Sequence, residues 1–422
     1  MLTIDAALSA KTDVAQTTTA IQAAIDQAAK AGETLFFPAG EYVVTSLLLR
    51  SGSDLKLDAG AKLTASPIYT DWKDCSLQPL LLAQNVQNIR ICGGTLCDSG
   101  YAYHDMVGKR LASYRPHGVL RFSDSSGIFL QDVIITDSVA WTFHLNNCED
   151  VKIDRVTIRN PEYLISQNTD GIDLNSCRNV EITGCDIETG DDAICLKSFD
   201  PKDPSNTRRD MFHIRVSDCV LATTCNATKI GTETVGDIYD VSFRNITVKR
   251  HPGASVHGYP DEGGYPISAV NVESNDGAFV HDITFENYIV HQVNTPIFIL
   301  LQNRKTLDSN AKMGKIENIT VRNVQVKEAR RASQINVQDG AMVENVLLEE
   351  IKVRNLETYP AINGPVIPCG RCYPDPYNYG HLPAHGLYAR NVKGLTIANT
   401  VEFLDGAQSG RPPIVTEHTD CD

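Results

Sequence analysis

The sequence predicts a parallel β-helix. Two observations carry that expectation: a short apolar alternation recurs along most of the chain, and Asn, Asp and Gly interrupt it at regular points. The alternation reads Ile89-Arg-Ile91, Ile128-Phe-Leu130, Val151-Lys-Ile153-Asp-Arg-Val156-Thr-Ile158 and Val180-Glu-Ile182-Thr-Gly-Cys185-Asp-Ile187. It continues through Ile214-Arg-Val216, Val241-Ser-Phe243, Ile283-Thr-Phe285, Ile319-Thr-Val321 and Val346-Leu-Leu348. A period of two in β-branched runs means strands rather than helices. Equivalent positions recur at roughly 23 to 42 residues, because turns take insertions while strands stay in register. A tandem array of sandwich domains would show hairpin signals such as Asn-Gly between its strands, and these are scarce.

The elements follow in order. From Thr17 to Lys30, Ala20, Ile21, Ala24, Ile25 and Ala28 fall at helical spacing behind threonines suited to cap the helix. This helix is expected to cover the open N-terminal end of the β-helix, whose first strands are Leu35-Phe36-Phe37 and Tyr42-Val43-Val44. Residues 1–45 are thus cap and first strands. Between 355 and 384 the chain becomes rich in Pro, Gly and Tyr, and is read as a long loop packed over one face or lining a cleft. Strand pattern returns at Val392-Lys-Gly-Leu395-Thr-Ile397. Because a solenoid core grows in one dimension, all 422 residues are read as one domain.

Composition limits the partners. A net charge of -14 argues against nucleic acid and anionic membrane, and no run of eighteen apolar residues exists to span a bilayer. The N-terminus lacks a basic region followed by an apolar core, so the chain as written is expected to be cytoplasmic, or secreted or periplasmic if a leader has been removed. The sequence sets no expectation for oligomeric state. Of twelve cysteines, Cys185 and Cys219 share a strand position in successive coils, which reads as a stacked row of buried thiols. Cys369-Gly-Arg-Cys372 is a lone C-x-x-C, weak as a zinc site and open between a local disulfide and two free thiols.

The chemistry is concentrated in Asn168-Thr169-Asp170-Gly171-Ile172-Asp173 and Gly190-Asp191-Asp192-Ala193-Ile194-Cys195. Aligning Ile172 with Ile194 and Leu174 with Leu196 places Asp170 opposite Asp192, with Asp191 one position before. Three carboxylates held this close retain a proton near neutral pH, which supplies an acid and a base in one site. Hydrolysis of a glycosidic bond with inversion needs such a pair. Asp173 is read as a turn residue pointing away from the cluster. No ligand set for calcium or zinc stands near the motif, so neither metal nor cofactor is expected and a chelator should leave the rate unchanged.

The stretch from Arg115 to Ser198, with Trp141-Thr142-Phe143-His144, Asn168-Thr169-Asp170 and Gly190-Asp191-Asp192 leading to Leu196-Lys197-Ser198, resembles glycoside hydrolase family 28, the polygalacturonase family. The resemblance implies a right-handed parallel β-helix, a carbohydrate substrate and metal-free hydrolysis with inversion. By motif, Asp191 would be the general acid, and Asp170 and Asp192 would hold and activate water. It also places Asn168 beside the substrate and His144 near the cleft, with Trp141 read as core.

Two family features are missing. The Gly-His-Gly triplet is replaced by Asn226-Ala227-Thr228, and the Arg-x-Lys pair that grips a galacturonate carboxylate by Asn271 and Glu273. A guanidinium suits carboxylate recognition and Glu273 would repel it, so a neutral leaving-group sugar is expected. Lys197 and Lys229 are candidate carboxylate contacts, with Lys229 entering the cleft one coil beyond Ala193. Glu233 is a possible cleft residue, and His251 or His257, in a Gly- and Pro-rich insert, could supply the missing histidine. Three functions stay open: a hydrolase of pectin-related chains, with attack at chain ends as one form of it, a calcium-dependent lyase on the same fold, and a non-catalytic carbohydrate-binding β-helix.

Overall fold

A computed structural model describes residues 1–10, 13–75, 79–103, 118–160, 168–199, 209–253, 263–307, 310–357 and 364–421. Short strands wind into a right-handed parallel β-helix, and among the described residues every pairing between its strands is parallel. Among the described residues one wall is a 12-stranded sheet running from Leu47–Leu48 to Ile414–Glu417, and the other two walls merge into a 21-stranded sheet. The merging is done by strands that pass through the corner unbroken, such as Ile238–Arg250, Phe279–Val290, Lys315–Ala329 and Val343–Asn355.

The register explains the sequence pattern. Ile89, Ile128, Val151, Val180, Ile214, Val241, Ile283, Ile319, Val346 and Leu395 stack in one inward column, all nearly inaccessible. The residue before each is Asn88, Gly127, Asp150, Asn179, His213, Asp240, Asp282, Asn318, Asn345 or Gly394, and every one has positive φ. The left-handed conformation costs an ordinary L-residue roughly 1–2 kcal/mol, while Gly, Asn and Asp adopt it readily. Asn318 donates to Asp282 at 2.9 Å and Asn345 to Asn318 at 3.1 Å, so the corner is also a side-chain ladder. One continuous apolar core extends from Ile4 to Leu395.

The helix Val14–Ala31 closes the N-terminal end, with Ile21, Ile25 and Ala28 buried. Its N-cap is Asp13, which accepts from the Gln16 N–H, and not the threonines expected from sequence. The hydroxyls of Thr17, Thr18 and Thr19 instead donate to carbonyls four residues back. Cys148 stacks below Cys177 and Cys185 below Cys219 as free buried thiols; Cys369 and Cys372 are also free. The residues following 363 fold back across the 12-stranded wall, where Asn336 donates to the Val366 carbonyl and Gln334 to that of Pro376.

Candidate active site

The site lies on the outer face of the 12-stranded wall, where the strands Phe143–Asn146, Ile172–Asn175, Ile194–Lys197, Asn226–Ile230 and Ser268–Ser274 run side by side. Ile172 pairs with Ile194 and Leu174 with Leu196, the alignment expected from the apolar residues. That register sets Asp170 beside Asp192, whose next neighbour is Asn226. A second column carries His144, Asp173, Cys195, Lys229 and Asn271. Inward-facing Ile and Leu fix the wall, and the alternation along each strand turns the second column outward, whereas Asp170 and Asp192 stand just ahead of their strands.

Hydroxyls hold the peptides that carry the acids. Thr189 donates to the Thr169 carbonyl, Thr223 to that of Asp191, and Thr224 to that of Gly190. The Asp191 carboxylate accepts the Asn168 N–H at 2.6 Å and the Asp192 N–H at 2.9 Å. One Asp192 oxygen accepts both the backbone N–H of Asn226, at 3.1 Å, and its side-chain amide, at 2.7 Å. The other lies 2.9 Å from the Lys229 ammonium.

These surroundings separate the carboxyls. Burial pushes Asp170 well above the usual carboxylate range, and the charges of Asp173 and Asp191 add to this. Burial pushes Asp192 the same way, but Lys229, with help from Cys225, Lys197 and Asn226, more than reverses it and holds Asp192 well below that range. One carboxyl is therefore poised to keep a proton beside another held ionised, the separation that acid–base work needs.

Several expectations change here. Asp173 belongs to the cluster: fully buried, 3.2 Å from the Lys197 ammonium, and raised to about 6 by burial against the pull of that lysine. Trp141 is not core; it is half-buried, in register with Asp170, with the Lys197 ammonium 4.3 Å from its ring centre. His144 is buried against the edge of the same ring, at 4.9 Å. Lys229 stands one coil beyond Cys195, not Ala193, and its ammonium is committed to Asp192. Lys197 is likewise committed to Asp173, with Glu233 at 3.9 Å.

Asn271 is buried and donates to Asn226 at 3.2 Å, and Glu273 is buried behind Gly231, accepting from Asn275 at 2.8 Å. Burial raises Glu273 to about 7 despite Lys229. His251 is buried against the Asn160 carbonyl at 3.2 Å, and Asn160 in turn donates to Thr189 at 3.2 Å, so the histidine stands behind the site rather than in it; His257 lies outside the described residues.

A cavity of about 210 Å³ opens over Asp191, lined also by Asn168, Asn226 and Lys229, and by Tyr373 to Pro376 on the far side. Cys225 and Ile267 complete it, two residues that carried no sequence signal beyond an apolar slot. Against expectation, ligand-type atoms of Asp191, Asp192 and Cys225 come within 4.8 Å of one another. The donor set does not suit a cation, because both Asp192 oxygens are already bonded, one to an ammonium, and Asp191 accepts two N–H groups.

Residues 29–202, which contain all three aspartates, match the family model of glycosyl hydrolases family 28. Over those residues the chain is similar to family 28. A polygalacturonase of Persea americana is 24% identical over 302 residues, covering 69% of this chain and 59% of that protein. A probable rhamnogalacturonase A of Aspergillus niger is 25% identical over 243 residues, covering 55% of this chain and 48% of that protein. The chain thus aligns with less than two thirds of the length of each. The structure of the Yersinia enterocolitica family 28 exopolygalacturonase superposes with a TM-score of 0.66 at 16% identity, covering 95% of this chain and 74% of that one, and shows the shared fold. Asn226, Lys229 and Asn271 lie beyond the family 28 match.

Proposed function

We propose that this protein is an inverting glycoside hydrolase of pectin-related chains. One observation carries the reading: three carboxylates cluster beside a cavity that Asp191 lines, with Asp170 pushed toward the neutral form and Asp192 held ionised. Asp191 faces the cavity and is assigned the general acid. Asp192 accepts the proton of the attacking water, and a neutral Asp170 helps to hold that water. Similarity to both a polygalacturonase and a probable rhamnogalacturonase supports the substrate class.

The finer reading is a neutral sugar on the leaving-group side and attack near chain ends. Both cleft lysines are neutralised by buried acids, and no Arg-x-Lys pair stands at Asn271 and Glu273, so among the described residues the cavity holds no uncommitted ammonium for a uronate. The Tyr373–Pro376 segment walls one side, and about 210 Å³ is small beside the roughly 300–1,000 Å³ of drug-sized sites, which favours a chain end over a threaded polymer.

The test is a product-resolved screen on polygalacturonan, rhamnogalacturonan and neutral α-linked oligosaccharides, with reducing ends and unsaturated products both measured. Saturated short products from a substrate with a neutral leaving group are expected. Rapid internal cleavage of polygalacturonan would overturn the finer reading, unsaturated products would indicate a lyase, and no turnover on any glycan would reject hydrolysis.

A further inference from the structure

We infer that Lys229 is a positioning residue, whose buried ammonium holds Asp192 as the ionised base, and that it is not a substrate contact. The inference rests on the hydrolase reading above. Its observations are geometric. Lys229 Nζ lies 2.9 Å from Asp192 Oδ2, and the two side chains are 3% and 4% exposed. The second Asp192 oxygen is bonded by Asn226, which itself is fixed by Ser268 Oγ at 2.6 Å and Asn271 at 3.2 Å.

The arrangement is charge-balanced only with the lysine present. Asp170, Asp191 and Glu273 surround the pair as acids, and Cys195, Cys225 and Tyr373 also face it. Lys197 is the other cation acting on Asp192, but its ammonium is held by Asp173 at 3.2 Å and Glu233 at 3.9 Å. Without Lys229, three neighbouring carboxyls would share the field of one occupied ammonium, and Asp192 would bind a proton instead of accepting one from water. A lysine serving a substrate carboxylate would have to leave Asp192 uncompensated in a buried site, which is costly. Asn226 and Lys229 together therefore give Asp192 two N–H groups and a positive charge that persists at neutral pH.

The two roles predict different kinetics. In Lys229→Met, the acidic limb of the kcat/KM profile should move up by about 1–3 pH units, the shift an adjacent opposite charge imposes, with kcat falling more than KM rises. Lys229→Arg, which keeps the charge, should return the limb most of the way. The same profile is read on the neutral oligosaccharide that the wild type cleaves best. Thermal unfolding of Lys229→Met, Asp192→Asn and the double variant completes the test: the pair predicts a double variant more stable than the sum of the single losses. A raised KM with the limb unmoved, or strictly additive losses, would overturn this inference while wild-type activity left the hydrolase reading standing. A wild type inactive on every glycan would overturn both, leaving non-additive losses as the mark of a purely structural ion pair.

Discussion

Asp173 and Lys197 form an ion pair of 3.2 Å across neighbouring coils, with Asp173 fully buried and Lys197 10% exposed. Removing one partner of such a pair strands the other charge, at a cost of roughly 3–5 kcal/mol. The folded protein holds the Asp173 proton up to about 6 against the ordinary 3.8, so its contribution to stability is complete below about 4 and is lost as pH rises to about 6. In Lys197→Met the carboxyl loses its lysine and rises further, so the loss extends above pH 6. Urea unfolding should therefore show Lys197→Met more destabilised relative to wild type at pH 8 than at pH 5. An equal deficit at both values would mean that the pair is not ionised in the fold.

The neighbouring acids respond differently to neutralisation. Asp191→Asn and Asp192→Asn should each lower kcat by roughly 10²–10⁴. Asp191→Asn leaves no buried ammonium without a partner and should keep its thermal transition. Asp192→Asn strands Lys229 and should unfold at lower temperature. Purified variants measured for turnover and for melting decide both points, and wild-type turnover in either removes that aspartate from the mechanism.

How far the site was legible follows from what fixes register. Asp170 and Asp192 could be set side by side from sequence because Ile172, Leu174, Ile194 and Leu196 are an unbroken apolar alternation, and a one-residue slip would expose all four. Asp173 and Trp141 were misjudged because the group both of them meet is the ammonium of Lys197, a residue one or two coils away. Lys229 was misplaced by two positions because Asn226-Ala227-Thr228 offers little apolar alternation to align, and only the backbone pairing of Ile194 with Thr228 settles it. The N-cap escaped for another reason: a run of threonines and a single Asp13 both satisfy the capping chemistry.

Single displacement by water predicts an inverted product. Proton NMR of the first product formed should show the anomer opposite to that of the substrate, with no covalent glycosyl-enzyme trapped on denaturation. A retained anomer would make one of the three aspartates a nucleophile.

Gly171 marks where the backbone itself sets the carboxylate spacing. A Cβ there would stand 2.4 Å from the Ala193 carbonyl oxygen and 2.8 Å from Ile187 Cγ2. The Gly171 N–H also donates to the Asp192 carbonyl at 2.9 Å, so the glycine ties the two acid-bearing coils together. Gly171→Ala must part those coils, costing roughly 1–3 kcal/mol and displacing Asp170 from Asp192. A drop in melting temperature with most activity lost is expected, and a variant of full activity would show that the spacing is not critical.

Tyr373 closes the last step, from fold to substrate. It comes from the segment that folds back over the wall, the residue 62% exposed at the rim of the cavity while its hydroxyl reaches Thr232 at 3.3 Å. An aromatic face fixed at one end and open at the other suits stacking against the apolar face of a sugar ring. The Tyr373→Ala variant should lose about 0.5–1.5 kcal/mol of binding, a roughly two- to tenfold rise in KM. Its kcat should change little, because Tyr373 does not touch the aspartates by any hydrogen bond. Tyr373→Phe keeps the ring and should stay close to wild type, losing only the weak tie to Thr232. Steady-state kinetics on a short oligosaccharide separate the possibilities: an unchanged KM in Tyr373→Ala excludes the ring as a sugar platform, and a fall confined to kcat would mean that the loop acts through the acids instead.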